Sequence, residues 1–173
     1  MKQMTEDKAV LQQKIEQYAD MLYKLAFSQM KNTQDAEDVV QEVLYQFIKN
    51  TKPFESVEHE KAWLIRVTLN ACRKIWRSTW YKHTVPFTMS QDVAEKDDMD
   101  DKLILKEKEQ EILKAVMNLP RKYREVIHLF YFENMSIKAI CEVTGRKTNT
   151  VTSQLTRGRD MLQKTLKEEY QYE

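Results

Sequence analysis

Only two glycines and three prolines occur in 173 residues. So few chain-reversal residues exclude a hairpin-rich β protein, a glycine-rich phosphate loop and any collagen-like or linker-like chain. What remains is a helical chain. With 42% apolar residues it has enough for modest cores, in one ordinary domain or two small ones.

Lys and Arg number 28 against 27 Asp and Glu, a net charge of +1. Taken whole, that balance argues against nucleic-acid binding, which normally shows a basic excess. Along the chain the balance breaks up. Residues 1–83 carry 13 basic and 11 acidic side chains, residues 84–111 carry 4 and 9, and residues 112–173 carry 11 and 7. The middle part opens with Thr84-Val85-Pro86 and holds Asp92, Glu95, Asp97, Asp98, Asp100 and Asp101. These acids repel one another and lack apolar partners, which predicts a flexible acidic linker over 84–104, with helix resuming near Asp100 or Asp101 as N-cap. The expected fold is all-α: two small helical domains, 1–83 and 105–173. On a tether of roughly 15 flexible residues, a partner would set their relative placement.

Two stretches lack acids altogether. Lys61 to Lys82 has six basic side chains in 22 residues, and Val143 to Arg159 has four in 17. A solvated basic helix face would produce one such gap; one in each domain invites a functional reading. At 100° per residue, Arg66, Asn70, Arg73 and Arg77 share one narrow arc, opposite Leu64, Ile65, Leu69, Ala71, Cys72, Ile75 and Trp76. Trp63, Trp80 and Tyr81 sit near the ends of this stripe, where rings either stack on exposed bases or pack at the helix ends; for Trp63 packing is favoured.

Upstream, apolar spacing through Leu22, Leu25 and Ala26, then Ala36, Val39, Val40, Val43, Leu44 and Phe47, predicts two helices broken near Lys31-Asn32-Thr33. Asp35, Glu37 and Asp38 suit the positive start of the second. Dipole alone does not explain why Asp38, Gln41 and Glu42 pattern with Val39 and Leu44, as a partner-binding surface would.

Past Asn118-Leu119-Pro120 a helix is expected over Tyr123–Phe132, broken by Glu133-Asn134-Met135. Ser136 then caps a short helix, Ile137 to Val143. The turn Thr144-Gly145-Arg146-Lys147 leads into a helix from Thr148 through Thr165 or beyond. This is a helix-turn-helix layout, with Cys141 small at the crossing, Gly145 free to turn left-handed, and Val151, Leu155 and Leu162 buried. Lys147, Asn149, Thr152, Ser153, Thr156, Arg157 and Arg159 then form its outer surface, with groups able to meet base edges and phosphates.

Other chemistries find little support. Cys72 and Cys141 lie far apart on apolar-rich stretches, as small buried thiols do. His59, His83 and His128 are scattered without ligand spacing, so no metal or cofactor is expected. No Ser-His-Asp or Cys-His set is discernible, so no enzyme is expected. The polar stretch Met1 to Val10, and the lack of any apolar run near 18 residues, predict a cytoplasmic protein.

Two sets of motifs are familiar. Asp35-Ala36-Glu37-Asp38-Val39-Val40-Gln41-Glu42-Val43, followed by Trp63-Leu64-Ile65-Arg66-Val67 and Asn70, resembles region 2 of bacterial sigma factors. Leu119-Pro120-Arg121-Lys122-Tyr123-Arg124-Glu125-Val126-Ile127, with Thr150-Val151-Thr152-Ser153-Gln154-Leu155 and Arg157-Gly158-Arg159, resembles region 4. The short acidic join, without a region 3 domain, is similar to the extracytoplasmic-function group of the sigma-70 family.

The resemblance implies a factor that binds core RNA polymerase, through the beta-prime clamp helices and the beta flap, and directs it to promoter DNA. Glu37, Asp38, Val39, Gln41, Glu42 and Leu44 match the clamp-docking surface. The loop from Phe54 to Lys61, including Ser56 and His59, matches the segment that captures a flipped minus-10 base, a step that costs a few kcal/mol of stacking. Arg66, Asn70, Arg73, Lys74 and Arg77 would hold the strand backbone. Lys147, Asn149, Thr152, Ser153, Thr156, Arg157 and Arg159 would read the minus-35 duplex. Catalysis would belong to the polymerase, and an anti-sigma factor, often membrane-anchored, would hold the free protein. A helix-turn-helix regulator that never docks on polymerase is the alternative.

Five positions depart from the family pattern: Cys141 and Gly158 stand where Ala is usual, Arg146 where an aliphatic residue is, Asn149 for Gly, and Thr152 for Lys or Arg. Thr152 weakens the phosphate contact expected there, and Gly158 costs up to about 1 kcal/mol of helix stability relative to Ala.

Overall fold

The computed structural model describes residues 1–78 and 101–170, and these fall into two compact helical units. The linker expected over 84–104 therefore lies largely outside the described residues, as do Trp80, Tyr81 and His83.

The first unit is three helices: α1 (Lys2–Met30), α2 (Thr33–Lys49) and α3 (Val57–Arg77). The break between α1 and α2 falls where expected. Lys31 turns left-handed with φ 59°, its N–H donating to the Phe27 carbonyl, and Asn32 caps α2 by accepting from the Asp35 N–H at 2.7 Å. Ser56 caps α3 by accepting from the His59 N–H, with Glu58 and Glu60 in the positively polarised first turn.

Tyr18, Leu22, Ala26 and Met30 of α1, Ala36, Val39, Val43 and Phe47 of α2, and Leu64 and Cys72 of α3 form one core. Their spacing of three and four residues puts one stripe of each helix inside. Thr68, fully buried on α3, satisfies its hydroxyl by donating to the Leu64 carbonyl.

The second unit contains α4 (Asp101–Met117), α5 (Arg121–Ile127), a π-helical turn (His128–Phe132), α6 (Ile137–Thr144) and α7 (Thr148–Tyr170). Pro120 precedes α5. The buried Arg124 guanidinium ties that corner by donating to the carbonyls of Leu119, at 2.9 Å, and Met117, at 3.2 Å. Burial, and then the neighbouring Arg121 charge, push the Arg124 guanidinium down to about 10, so it is still a cation at neutral pH.

The helix expected over Tyr123–Phe132 changes character halfway. From His128 the turns widen, the Glu133 N–H donates to the His128 carbonyl, and Asn134 takes a positive φ of 52°. His128 and Leu129 are buried, whereas Tyr131 and Phe132 are exposed, so these two aromatic residues do not belong to the core. Ser136 caps α6 as expected, and Gly145 ends it at φ 73°. An added Cβ would have open space at Gly145, so backbone conformation alone calls for glycine there.

Val151 and Leu155 are buried as expected, but Leu162 and Cys141 are only half-buried. Cys141 lies at the joint, its sulfur 3.9 Å from the Thr148 hydroxyl. Gly158 has a packing reason for being small: a Cβ there would lie 2.9 Å from Ile127 Cγ1, where α5 crosses α7.

Candidate nucleic-acid interface

On α2, Glu37, Asp38, Gln41 and Glu42 are exposed and Leu44 is half-buried. Val39 corrects the expectation. It is 1% exposed and belongs to the core, because it lies three residues after Ala36 and four before Val43 on the buried stripe. It offers no surface to a partner.

On α3 the basic stripe stands as the 3.6-residue period requires. Arg66, Asn70, Lys74 and Arg77 are exposed and Arg73 is half-buried, its Nη1 donating to Asn70 Oδ1 at 3.4 Å. Before α3, Phe54 is half-buried in an aromatic cluster, its ring 6.2 Å from Phe47, 5.5 Å from Trp63 and 5.5 Å from His59. Trp63 is thus packed against the core. His59 and Ser56 are exposed, yet both shape the backbone: Ser56 is the α3 cap, and His59 Nδ1 accepts from the Glu55 N–H. Lys61 is half-buried.

A cleft of about 640 Å³ opens beside this loop, walled by the early turns of α1 and by Lys52, Phe54, Ser56 and Val57. Glu60 lines it, a carboxylate 4% exposed, accepting from Lys14 Nζ at 2.7 Å and from the Tyr18 hydroxyl at 2.9 Å. Burial, followed by the adjoining Glu60 carboxylate, pushes the Tyr18 phenol up to about 12. This triad joins α1 to the start of α3. No sequence signal marked it, because its partners are 42 and 46 positions apart.

On α7, Asn149, Thr152, Ser153, Thr156, Arg157 and Arg159 are all exposed, as is Lys147 in the turn before it. Thr152 and Thr156 donate their hydroxyl hydrogens back to the carbonyls of Thr148 and Thr152, leaving oxygen lone pairs outward.

The two arginines do not share the face expected of them. Two residues rotate the helix by about 200°, so they occupy opposite flanks of the row Asn149, Ser153 and Thr156. Each meets a tyrosine. Arg159 Nε donates to the Tyr131 hydroxyl, its guanidinium carbon 5.3 Å from the Phe130 ring centre; the Tyr123 hydroxyl is hydrogen-bonded by Arg157, which lowers its pKa. Asp160 is exposed immediately after Arg159 and closes the acid-free stretch.

Behind α7, Arg146 links three elements. Its Nη1 donates to Gln154 Oε1 at 3.1 Å and its Nη2 lies 3.3 Å from Glu125 Oε1. The unusual residue type at 146 was the one sequence signal for this cluster. Among the described residues no group of three His, Cys, Asp or Glu side chains is placed to hold a metal ion, and no helix is long and apolar enough to cross a membrane.

Residues 15–81 match the Sigma-70 region 2 family, and residues 109–162 match the Sigma-70, region 4 family. The chain is 30% identical over 160 residues to the ECF RNA polymerase sigma factor SigW of Bacillus subtilis, spanning 87% of this chain and 86% of that one. It is 28% identical over 174 residues to the RNA polymerase sigma factor SigV of the same organism, spanning 98% of each. Its fold is similar to that of the sigma factor RpoE of Bartonella quintana, solved in complex with the anti-sigma factor NepR. There the TM-score is 0.71 at 24% identity, over 90% of this chain and 96% of the other. It is similar also to CnrH, solved with the cytosolic domain of CnrY, with a TM-score of 0.62 at 20% identity over 93% and 90% of the two chains. With a basic helix face in one unit, a helix-turn-helix in the other and both regions matched in order, this chain belongs to the ECF sigma factors of the sigma-70 family, which direct RNA polymerase to promoters.

Proposed function

We propose a division of labour among the surfaces of this sigma factor. The exposed face of α2, with Glu37, Asp38, Gln41, Glu42 and the edge of Leu44, docks on the beta-prime clamp helices of core polymerase. The loop before α3 and its first turn, with Phe54, Ser56, His59 and Lys61, receive a minus-10 base. Arg66, Asn70, Arg73, Lys74 and Arg77 hold the melted strand by its phosphates. The outer face of α7 enters the minus-35 major groove. Asn149, Ser153 and Thr156 face base edges, while Thr152, Arg157, Arg159 and Lys147 on the flanks meet the two phosphate walls.

The observation that carries this reading is the sorting of charge in the first unit: acids exposed on α2, cations exposed on α3. A regulator that only bound DNA would have no use for an exposed acidic helix beside its basic one, since the acids would oppose the phosphates. Nucleotidyl transfer stays with the polymerase. The protein acts in the cytoplasm, and an anti-sigma factor covering the polymerase-binding faces holds it inactive, as NepR accompanies the sigma factor RpoE.

The test is core-polymerase affinity and promoter use for two variants. Asp38→Ala with Gln41→Ala is expected to weaken core binding, and Arg157→Ala to lower promoter use while core binding holds. Unchanged core affinity in the first variant would remove α2 from the docking role.

A further inference from the structure

We propose that Arg146 is a positioning residue that sets the axial rotation of the recognition helix α7, through a clamp joining Glu125 of α5 to Gln154 of α7. The inference rests on the minus-35 role proposed for α7. The Glu125 side chain is 2% exposed, and a carboxylate that deep needs a cationic or hydrogen-bonding partner. Arg146 supplies one from the turn of the helix-turn-helix, with Nη2 3.3 Å from Glu125 Oε1 and Nη1 3.1 Å from Gln154 Oε1. Its side chain is only 21% exposed, so its charge is directed inward.

An aliphatic side chain at this position would hold α7 by contact alone, which is non-directional. A planar guanidinium with a different acceptor on each nitrogen fixes direction as well. The attachment point matters, because Gln154 is next to Ser153 and two residues from Thr152 and Thr156. Side-chain tips lie about 6 Å from a helix axis, so a rotation of about 10° moves them by about 1 Å. That displacement is enough to take a hydrogen bond to a base edge out of range. The turn is also anchored from behind, since Gly145 ends α6 left-handed and the Arg146 N–H donates to the Thr144 hydroxyl at 3.3 Å.

The experiment uses the full chain assembled with core polymerase on a promoter selected by the wild-type holoenzyme, compared with the same promoter carrying a scrambled minus-35 element. Arg146→Lys keeps a cation for Glu125 but loses the two-pronged fork; Gln154→Leu leaves the ion pair intact and removes only the link to α7. Both are expected to assemble with core as the wild type does, with an unchanged salt slope because no phosphate contact is lost. Both should lose about tenfold in discrimination between the two templates, the cost of about one hydrogen bond misplaced. Discrimination within about twofold of wild type in both variants would overturn the proposal. So would a salt slope shallower by about one in Arg146→Lys, which would make Arg146 a direct phosphate contact. Failure of the wild-type protein itself to discriminate would instead overturn the minus-35 role of α7, and this inference with it.

Discussion

Both units bury a glutamate and answer it with a cation from another element, but they do so in different settings. In the first unit Glu60 is the one Asp, Glu, Lys or Arg side chain buried among the described residues. Its partner Lys14 is 41% exposed, and a long apolar column stands beside it. In the second unit Glu125 is buried together with Arg124, His128 and Glu133, and Arg146 is largely covered. Short helices have little apolar surface to offer, so a larger share of the geometry falls to directional polar contacts. The first unit is held mainly by apolar packing, and the second by packing plus a polar frame. The unit whose helix is proposed to enter a groove is the one with the frame.

The largest expected effect breaks that contrast at its centre. Arg146→Met removes both a cation from the largely covered Glu125 carboxylate and the hydrogen bond to Gln154, and should cost about 2 kcal/mol. Lys14→Met, at a wet site where Tyr18 still donates to Glu60, should cost about 1 kcal/mol or less. Denaturation followed by tryptophan fluorescence, whose three sources Trp63, Trp76 and Trp80 all precede residue 84, gives the number for the first unit. The far-UV circular dichroism change that remains after subtracting that transition gives the number for the second. Equal costs would erase the distinction between the units.

An intermediate effect is a pH dependence of the first unit. The Tyr18 phenol is pushed up to about 12 in the fold, above its ordinary 10.0, by burial and by the Glu60 carboxylate. A raised folded pKa stabilises below the unfolded value and stops doing so as pH climbs through the folded one. The first unit should therefore lose stability between pH 10 and about 12. Tyr18→Phe should flatten that loss and cost about 1 kcal/mol at neutral pH. A loss of the same steepness in the variant would show that Tyr18 is not its source.

The smallest effect concerns Gly158. Alanine would gain up to about 1 kcal/mol of helix propensity, but its Cβ would press on Ile127 at the α5–α7 crossing. Gly158→Ala should be neutral to mildly destabilising alone, and more favourable in an Ile127→Ala background, which removes both Cγ1 and Cδ1, than in the wild type. Additive effects in the double variant would rule out that contact.

What the sequence disclosed divides along the same physical line. Helix ends were legible because their causes are local: the break at Asn32, the Ser136 cap and the left-handed Gly145 each act within a few residues. The basic stripe of α3 and the buried Val151 and Leu155 follow from periodicity alone. Val39 was misplaced although its spacing fits the apolar stripe, because it lies among the acids of the matching motif. The tyrosine partners of Arg157 and Arg159, the Lys14–Glu60–Tyr18 triad and the Arg146 clamp were not legible. Each joins side chains whose meeting depends on how helices pack, and neither composition nor period encodes that. The whole-chain charge of +1 likewise concealed an acidic helix face and two basic ones.

Run-off transcription over a promoter library tests the account most directly, with purified core polymerase in the presence and absence of this protein. The expected result is start-site selection only when the protein is present, at sites carrying two separated elements. One of these should lose its effect in the Arg66 and Asn70 variants, and the other in the Asn149 and Ser153 variants. Start sites unchanged by the protein, or two elements lost together on mutation of either unit, would contradict it.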